Sequence, residues 1–555
     1  MGDGRRELGM IASNERDLYE LLLGLVAIPS ISDSRSGEEN RAAEFIYGKL
    51  SELGYFRERP DLLRYLPCEG DFLKRTSVCA LVRAPEKTRS TVIVTGHFDV
   101  VDAEAYGPLK ALAFSPEELT RRAGELEMPD DAKRDLASGR YLFGRGVSDM
   151  KAGVAAEMAF LGDLSRSLDL PVNVLFLAVP DEENNSTGMR SAVSWLVRLR
   201  EEWNLDYAVC LNGEPSVGSD GLSVYLGTIG KMLPFYFCVG KETHVGQYYD
   251  GVSSSLLVAN LSLLLEGAAE TSEAFGGQMF PPQVCLRFHD LVRHYSVTLP
   301  ERAVAYYNQF TVVKTPGQVL EEMKKTAAEA LRRTVAYLRE QRDILRSRGA
   351  LSIDETPVEP RVMTYGELER RARERTSDFD EAFDAFLKGL PSSLDQRERG
   401  TEAVSFLLDR SGEKGPMIVV GFLPPYCPPR VNTRRSAGER NVLDAVAKLK
   451  ADVEREGLSL TEVEVFQGIM DLSFMGFQGD PDDLDAMAAN MPLWGRGYDI
   501  PLAELTQIDI PIVNFGPIGK GEHKNSERID LHFYLKTFPK LFRSFVKHLA
   551  ESAVR

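Results

Sequence analysis

Apolar and polar positions alternate in blocks through the first 230 residues. Leu18–Val26 and Asn40–Leu53 carry the apolar spacing of amphipathic helices. Val78–Val82 and Val92–Thr95 are short continuous apolar runs, the pattern of strands buried on both faces. Next come a helical pattern over Met150–Leu164, a strand over Val172–Val179, a helix over Met189–Arg200 and a strand over Tyr207–Leu211. Helices alternating with buried strands predict an α/β domain with a largely parallel or mixed sheet.

The texture changes after Gly227. Met232–Val239, Ala303–Val313 and Arg361–Thr364 read as strands, Ser253–Leu265 as a helix and Gly317–Arg346 as a long charged helix. Such a mixture predicts a compact α+β unit of its own. Glu367–Gly415 is highly charged and predicts helical additions, and Pro416–Phe422 is apolar again. A Pro-rich loop, Pro424–Pro429, follows; it either lines a pocket with Tyr426 or forms a rigid surface turn. Asn441–Arg455 and Pro539–Leu549 read as helices, Val463–Phe466 and Ile510–Phe515 as strands, so the α/β pattern resumes. The expected organisation is one α/β domain built from residues 1–227 and 416–555. An α+β domain (228–365) and a charged helical segment (366–415) are inserted between its two parts.

Composition narrows the classes. A length of 555 residues exceeds one core. The formal charge of −17 speaks against a general nucleic-acid or anionic-membrane binder. Six scattered cysteines without a CxxC pair exclude a disulfide scaffold and a zinc ribbon. The opening MGDGRRELGM lacks an apolar signal core, and the apolar runs are too short to span a bilayer, so a cytoplasmic location is expected.

With only seven histidines in the chain, each one's surroundings count. Four apolar runs lead into acidic or histidine residues: His97 and Asp99; Asp181, Glu182 and Glu183; Glu214; and, after Ile512, His523. Ligands of an open α/β sheet collect beyond the carboxyl ends of its strands, so these segments can converge. Asp149 sits where the glycine-containing stretch Gly144-Arg145-Gly146-Val147-Ser148 becomes a helix. Singly, each has an ordinary explanation: Asp149 as a helix N-cap, Glu182 and Glu183 as solvated loop acids, Glu214 as the residue before a Pro215 turn. Together, two histidines and three carboxylates suit a pair of borderline divalent ions such as zinc, with manganese or cobalt as alternatives, and a further carboxylate suits a general base. The Gly144 stretch is not a dinucleotide fingerprint, and no GxxxxGK[ST] string occurs.

These motifs, in this order, resemble the M20 metallopeptidase family: His97-x-Asp99, Gly-Arg-Gly-x-x-Asp149-x-Lys, Asp-Glu182-Glu183, Gly-Glu214-Pro-Ser, and His523 followed by Asn525-Ser-Glu527-Arg. Size, the His523 ending and the Tyr307-Asn308 stretch are similar to the family's arginine-utilisation branch, called RocB. The resemblance implies a mixed-sheet, zinc-exopeptidase-like catalytic domain with an inserted α+β lid. It implies two metal ions bridged by Asp149, one completed by His97 and Glu214, the other by Glu183 and His523. Glu182 would be the general base, and Asp99 would orient His97 by accepting a hydrogen bond from its second ring nitrogen. His244, in Gly240-Lys-Glu-Thr-His244, would be a lid residue touching substrate or oxyanion, supplied across a homodimer. His289, His294, His532 and His548 match no motif.

The chain also departs from the family. The segment Asp102–Ser138 between His97 and Asp149 is an extra stretch, either a flap near the site or an inert surface insertion. The lid strand that often carries a substrate-binding arginine has Asn308 instead; Arg190, Arg430, Arg434 and Lys524 are candidate substitutes. The expected activity is hydrolysis of an amide or peptide bond in a small N-acyl amino acid or short peptide by a metal-activated water. The alternatives are a deacylase or amidase of arginine or ornithine catabolism, and a binding protein on the same scaffold.

Overall fold

Residue Ser90 begins a strand that ends at His97, between two parallel partners, Asn173–Val179 and Asp206–Asn212. The computed structural model describes residues 14–32, 37–216, 221–292, 294–349 and 361–554; the N-terminal stretch read above, residues 1–10, lies outside them. These strands belong to an eight-stranded mixed sheet. Across it run Leu63–Pro67, Thr76–Val82, Asn173–Val179, Ser90–His97, Asp206–Asn212, Ile512–Asn514, Leu222–Tyr225 and Leu460–Val463. The first two pairings are antiparallel. The four adjacent strands Asn173–Val179, Ser90–His97, Asp206–Asn212 and Ile512–Asn514 are mutually parallel. Every residue of Asn173–Val179 is buried, as expected for a parallel strand covered on both faces.

The carboxyl ends of these strands are level. His97 pairs with Val179, Thr95 with Asn212, and Asn212 with Asn514. The segments that carry Asp181–Glu183, Glu214 and His523 therefore leave the sheet at the same edge as His97. The helices Lys151–Ser167, Thr187–Glu202, Ala437–Arg455 and Phe538–Ala553 match the sequence-derived ones to within four residues at each end. Ser436 and Glu439 form a capping box at the start of Ala437–Arg455, and Pro539 occupies the first turn of Phe538–Ala553.

The chain divides into two compact units. The first comprises Met1–Ile229, Arg430–Phe477 and Pro501–Arg555; the second comprises Gly230–Pro429 and Gln478–Ile500. The second unit holds a five-stranded sheet in the order Val284–Asp290, Arg302–Thr311, Gly230–Val239, Met417–Cys427, Arg361–Thr364. Helices Ser254–Leu265 and Pro316–Ser347 pack together and against this sheet. Three further helices, Tyr365–Arg375, Phe379–Gly389 and Gln396–Ser411, fill the charged stretch in the same unit.

Two sequence expectations need correcting here. Residues from 416 onward do not return at once to the first unit. Met417–Cys427 pairs antiparallel along Gly230–Val239, a partner far away in sequence. Pro424 and Pro425 do not form a surface loop but lie inside that buried strand. The register slips between Leu423 and Cys427, and an irregular stretch of this kind accommodates residues that cannot donate to the ladder. Tyr426 is buried there; its N–H donates to the Tyr498 hydroxyl at 2.8 Å, and that hydroxyl donates back to its carbonyl at 3.1 Å. Among the described residues no helix is long and apolar enough to cross a membrane.

Candidate metal centre

His97 is the last residue of its strand and is buried. Its Nδ1 lies 3.1 Å from the Asp99 backbone carbonyl, which fixes the proton on Nδ1 and turns Nε2 outward as a ligand atom. Nε2 lies 3.1 Å from Asp149 Oδ1. The Asp99 carboxylate was expected to accept from His97, but at 3.6 Å it is beyond hydrogen-bond reach. Its oxygens are instead taken by the N–H groups of Glu182 and Glu183, each at 3.1 Å. The orienting contact is made by the backbone of Asp99, while its side chain fastens the glutamate turn.

Asp149 follows the turn Gly144–Ser148 and precedes helix Lys151–Ser167. Gly146 has a φ of 77°, and a Cβ there would approach Val100 Cγ1 to 2.7 Å, so the turn requires glycine. The two carboxylate oxygens of Asp149 face different histidines: Oδ1 faces His97, and Oδ2 lies 3.2 Å from His523 Nε2. Burial alone would raise the Asp149 pKa, but the hydrogen bonds to His523 and His97 hold it below the ordinary carboxylate range. The N–H groups of Ser148 and Asp149 donate to Glu527 Oε1 at 3.2 and 3.3 Å.

Glu183 reaches His523 Nε2 at 3.1 Å through Oε1 and 3.0 Å through Oε2. One ligand atom each from His97, Asp149 and Glu183 lies within 4.8 Å of the others, so imidazole and carboxylate donors converge around Asp149. Glu214 leaves the Asp206–Asn212 strand and is locked by a reciprocal pair of bonds to Asn514. Its N–H donates to Asn514 Oδ1, and Asn514 Nδ2 donates to its carbonyl, both at 3.0 Å. Glu182 Oε2 is 3.9 Å from His97 Nε2. Burial first, then the neighbouring carboxylates, push Glu182 and Glu214 well above the ordinary range, and Glu183 upward too. His523 is raised to about 11 by its hydrogen bonds to Asp149 and Glu183. Four closely set carboxylates, Glu214 buried and Asp149, Glu182 and Glu183 half-buried, against two imidazoles leave negative charge in excess, and an N/O donor set of this kind fits divalent cations.

Sequence reasoning missed three participants. Arg145 is buried, with Nη1 2.5 Å from Glu527 Oε2, Nε donating to the Asp102 carbonyl at 3.0 Å and Nη2 to the His523 carbonyl at 3.2 Å. Glu527 stood in the motif string, but nothing there marked it as the acceptor for the Asp149 turn. Asp471 is buried with both carboxylate oxygens lacking a hydrogen-bond partner among the described residues. Burial raises it to about 8, with His97 opposing and Asp99 reinforcing. Only the strand-like run before it, ending in Gly468-Ile-Met, resembles the other acid-bearing segments.

The remaining candidates are dispersed. Arg430 is not available to a substrate: it is buried, with Nη2 bonded to the Ile510 carbonyl at 2.9 Å and to Asp509 at 3.0 Å. Its Nη1 binds the Val431 carbonyl at 2.9 Å. Lys524 is exposed beside His523, and Arg190 donates to the Asn185 carbonyl at 3.1 Å. His244 and Asn308 belong to the second unit. His244 Nδ1 accepts the Gly246 N–H at 3.1 Å, a local cap, and Asn308 is half-buried opposite Val284.

The family model described as peptidase family M20/M25/M40 matches residues 93–549. The protein YqjN of Bacillus subtilis (strain 168) is 33% identical over 546 residues, 97% of this chain and 97% of its own. Protein RocB of the same organism is 29% identical over 539 residues, 96% of this chain and 94% of its own. Among solved structures, a tripeptidase from Staphylococcus aureus matches with a TM-score of 0.52 at 14% identity, covering 98% of this chain and 99% of that one. At that identity the likeness speaks for the fold.

Proposed function

The chain belongs to peptidase family M20/M25/M40 and is a hydrolase of the peptidase or amidohydrolase kind, and on that premise we propose that it splits an amide bond in a small N-acyl amino acid or short peptide. The observation that carries this reading is Asp149, whose two oxygens each face a different histidine. In this reading Asp149 would serve both of two divalent ions, with His97 and Glu214 holding one and Glu183 and His523 the other. When bound, such ions polarise the scissile carbonyl and lower the pKa of the attacking water. Glu182, whose carboxylate lies near His97 outside the ligand set, takes the proton of that water and passes it to the leaving amine. Asp99 holds Glu182 and Glu183 through their N–H groups, so base and ligand share one anchor.

A second, narrower reading is a deacylase or amidase acting on an arginine- or ornithine-derived amide, which rests on the resemblance of the motifs to the arginine-utilisation branch; the 29% identity with RocB itself supports only the general kind of reaction. A panel of N-acyl amino acids, with arginine and ornithine derivatives alongside dipeptides and tripeptides, separates the two. Glu182→Gln should retain wild-type metal content, measured by elemental analysis, and lose about 10²–10⁴-fold in kcat. Undiminished hydrolysis by that variant would remove Glu182 from the mechanism. Wild-type protein that takes up no divalent ion would remove the reading itself.

A further inference from the structure

The extra segment between His97 and Asp149 is folded. It contains a 3-10 stretch, Glu104–Leu112, and helices Pro116–Arg122 and Asp130–Ser138. It has its own small core, in which Tyr106, Leu109, Leu119 and Met128 pack with Phe143. The chain then enters a short strand, Tyr141–Phe143, which pairs antiparallel with Arg528–Asp530, and that strand pairs with Gly519–Lys520. His523 lies in the turn between the last two strands.

Contacts from the insertion hold both arms of this hairpin. Asp131 Oδ2 is 2.7 Å from Arg528 Nη2, and Asp135 Oδ2 accepts from Arg528 Nε at 2.8 Å. Asp135 also meets Lys520 at 3.2 Å. Asn525 Nδ2 donates to the Glu127 carbonyl at 3.0 Å. Arg145 joins the three parts: its guanidinium lies 5.3 Å from the Tyr106 ring in the insertion core and binds the Asp102 and His523 carbonyls. Arg528 is buried, so its pairing with Asp135 is less screened than a surface ion pair. His523 itself is poorly packed: its side chain is 53% exposed and its φ is 63°. Its position is therefore set by the backbone of the hairpin rather than by packing of the ring.

We propose that the 102–138 insertion is a positioning element for one half of the metal centre, its helix Asp130–Ser138 clamping Arg528 and Lys520 so that His523 faces Glu183 and Asp149. This rests on the dimetal reading above. His97 and Glu214 are anchored by the central strands and by Asn514, so the clamp should govern chiefly the ion held by Glu183 and His523 and reach the other only through the Glu527 contact to the Asp149 turn.

The test is an equilibrium titration of metal-stripped protein with zinc against a competing chelator, comparing wild type, Asp131→Ala/Asp135→Ala and Asp135→Glu. The expected result is two ions per chain in wild type. In the double variant one ion weakens about 10–100-fold, the range for loss of a contact that orients a ligand, and the other markedly less. Asp135→Glu, which keeps the charge, should recover most of the loss. Hydrogen exchange on the metal-free proteins supplies a second readout. Amides of residues 521–527 should exchange faster in the double variant, while those of Asn173–Val179 stay protected, which also reports that the variant is folded. Two ions of unchanged affinity in the double variant, equal weakening of both ions, or unchanged exchange of 521–527 would overturn the clamp alone. A wild-type chain that binds no ion would overturn the dimetal reading and the clamp with it.

Discussion

At the scale of single residues, Asp99 shows how an acid can shape a candidate metal centre without hydrogen-bonding to its histidine ring. Its buried carboxylate accepts two backbone N–H groups, those of Glu182 and Glu183. Asp99→Asn substitutes an NH₂ for one acceptor and leaves a buried N–H unpaired. A loss of about 1–3 kcal/mol in urea-induced unfolding is expected. Because His97 donates to the Asp99 carbonyl, its tautomer should not change; nitrogen NMR of the metal-free variant checks this, and a switched tautomer would restore the carboxylate as the orienting group. His97, Asp149, Glu183 and His523 were legible in the sequence because each follows a strand-like run or a glycine-containing turn. Asp471 was not, because one acid among Met470, Leu472 and Phe474 after a short strand-like run is too weak a pattern by itself, and its burial is decided by long-range packing. Arg430 was misread for the converse reason: a stretch rich in proline and arginine suggests exposure, but this guanidinium spans the interior between Asp509 and Glu439.

At the scale of elements, sequence periodicity located most helices and strands to within a few residues, since burial on one or both faces is written into the apolar spacing. Pairing was less legible. Nothing local in Met417–Cys427 reveals that its partner is Gly230–Val239, and two adjacent prolines argued against a strand at all. The hairpin carrying His523 is a second case, because its strands are only two and three residues long. Its fit depends on Gly519, where an added Cβ would meet Ser148 Oγ at 1.8 Å, beside Asp149. Gly519→Ala must therefore displace either the hairpin or the Asp149 turn. It should cost about 1–3 kcal/mol of stability and weaken metal uptake, both measurable by thermal melts with and without zinc. Ser148→Gly in the same chain removes the obstructing atom and should restore part of the loss; if it restores none, the steric account fails.

At the scale of the whole molecule, the net charge of −17 suggests a surface property, but part of the negative charge lies inside the first unit, and that makes stability depend on pH. Arg75 is buried among three acids: Asp71 at 3.0 Å, Glu39 at 3.0 Å and Asp181, which precedes Glu182 and Glu183. One guanidinium cannot neutralise three carboxylates, and Glu39 Oε2 has no hydrogen-bond partner among the described residues. Burial raises Glu39 from its ordinary 4.5 to about 8, with Arg75 opposing the shift. Folded protein thus keeps a proton on Glu39 that the unfolded chain has released. The folded state is fully favoured below pH 4.5, loses stability as pH rises from 4.5 to about 8, and loses no more from this group above that. Glu39→Gln retains a hydrogen-bonding group of the same shape without the ionisation. Urea unfolding of metal-free protein across this range should show the variant gaining on wild type by up to roughly 1.4 kcal/mol per pH unit. The gain should be absent at pH 4 and level off near pH 8. Parallel profiles for the two proteins would mean that Glu39 is ionised in the fold and that Arg75, despite its other two partners, carries its charge in full.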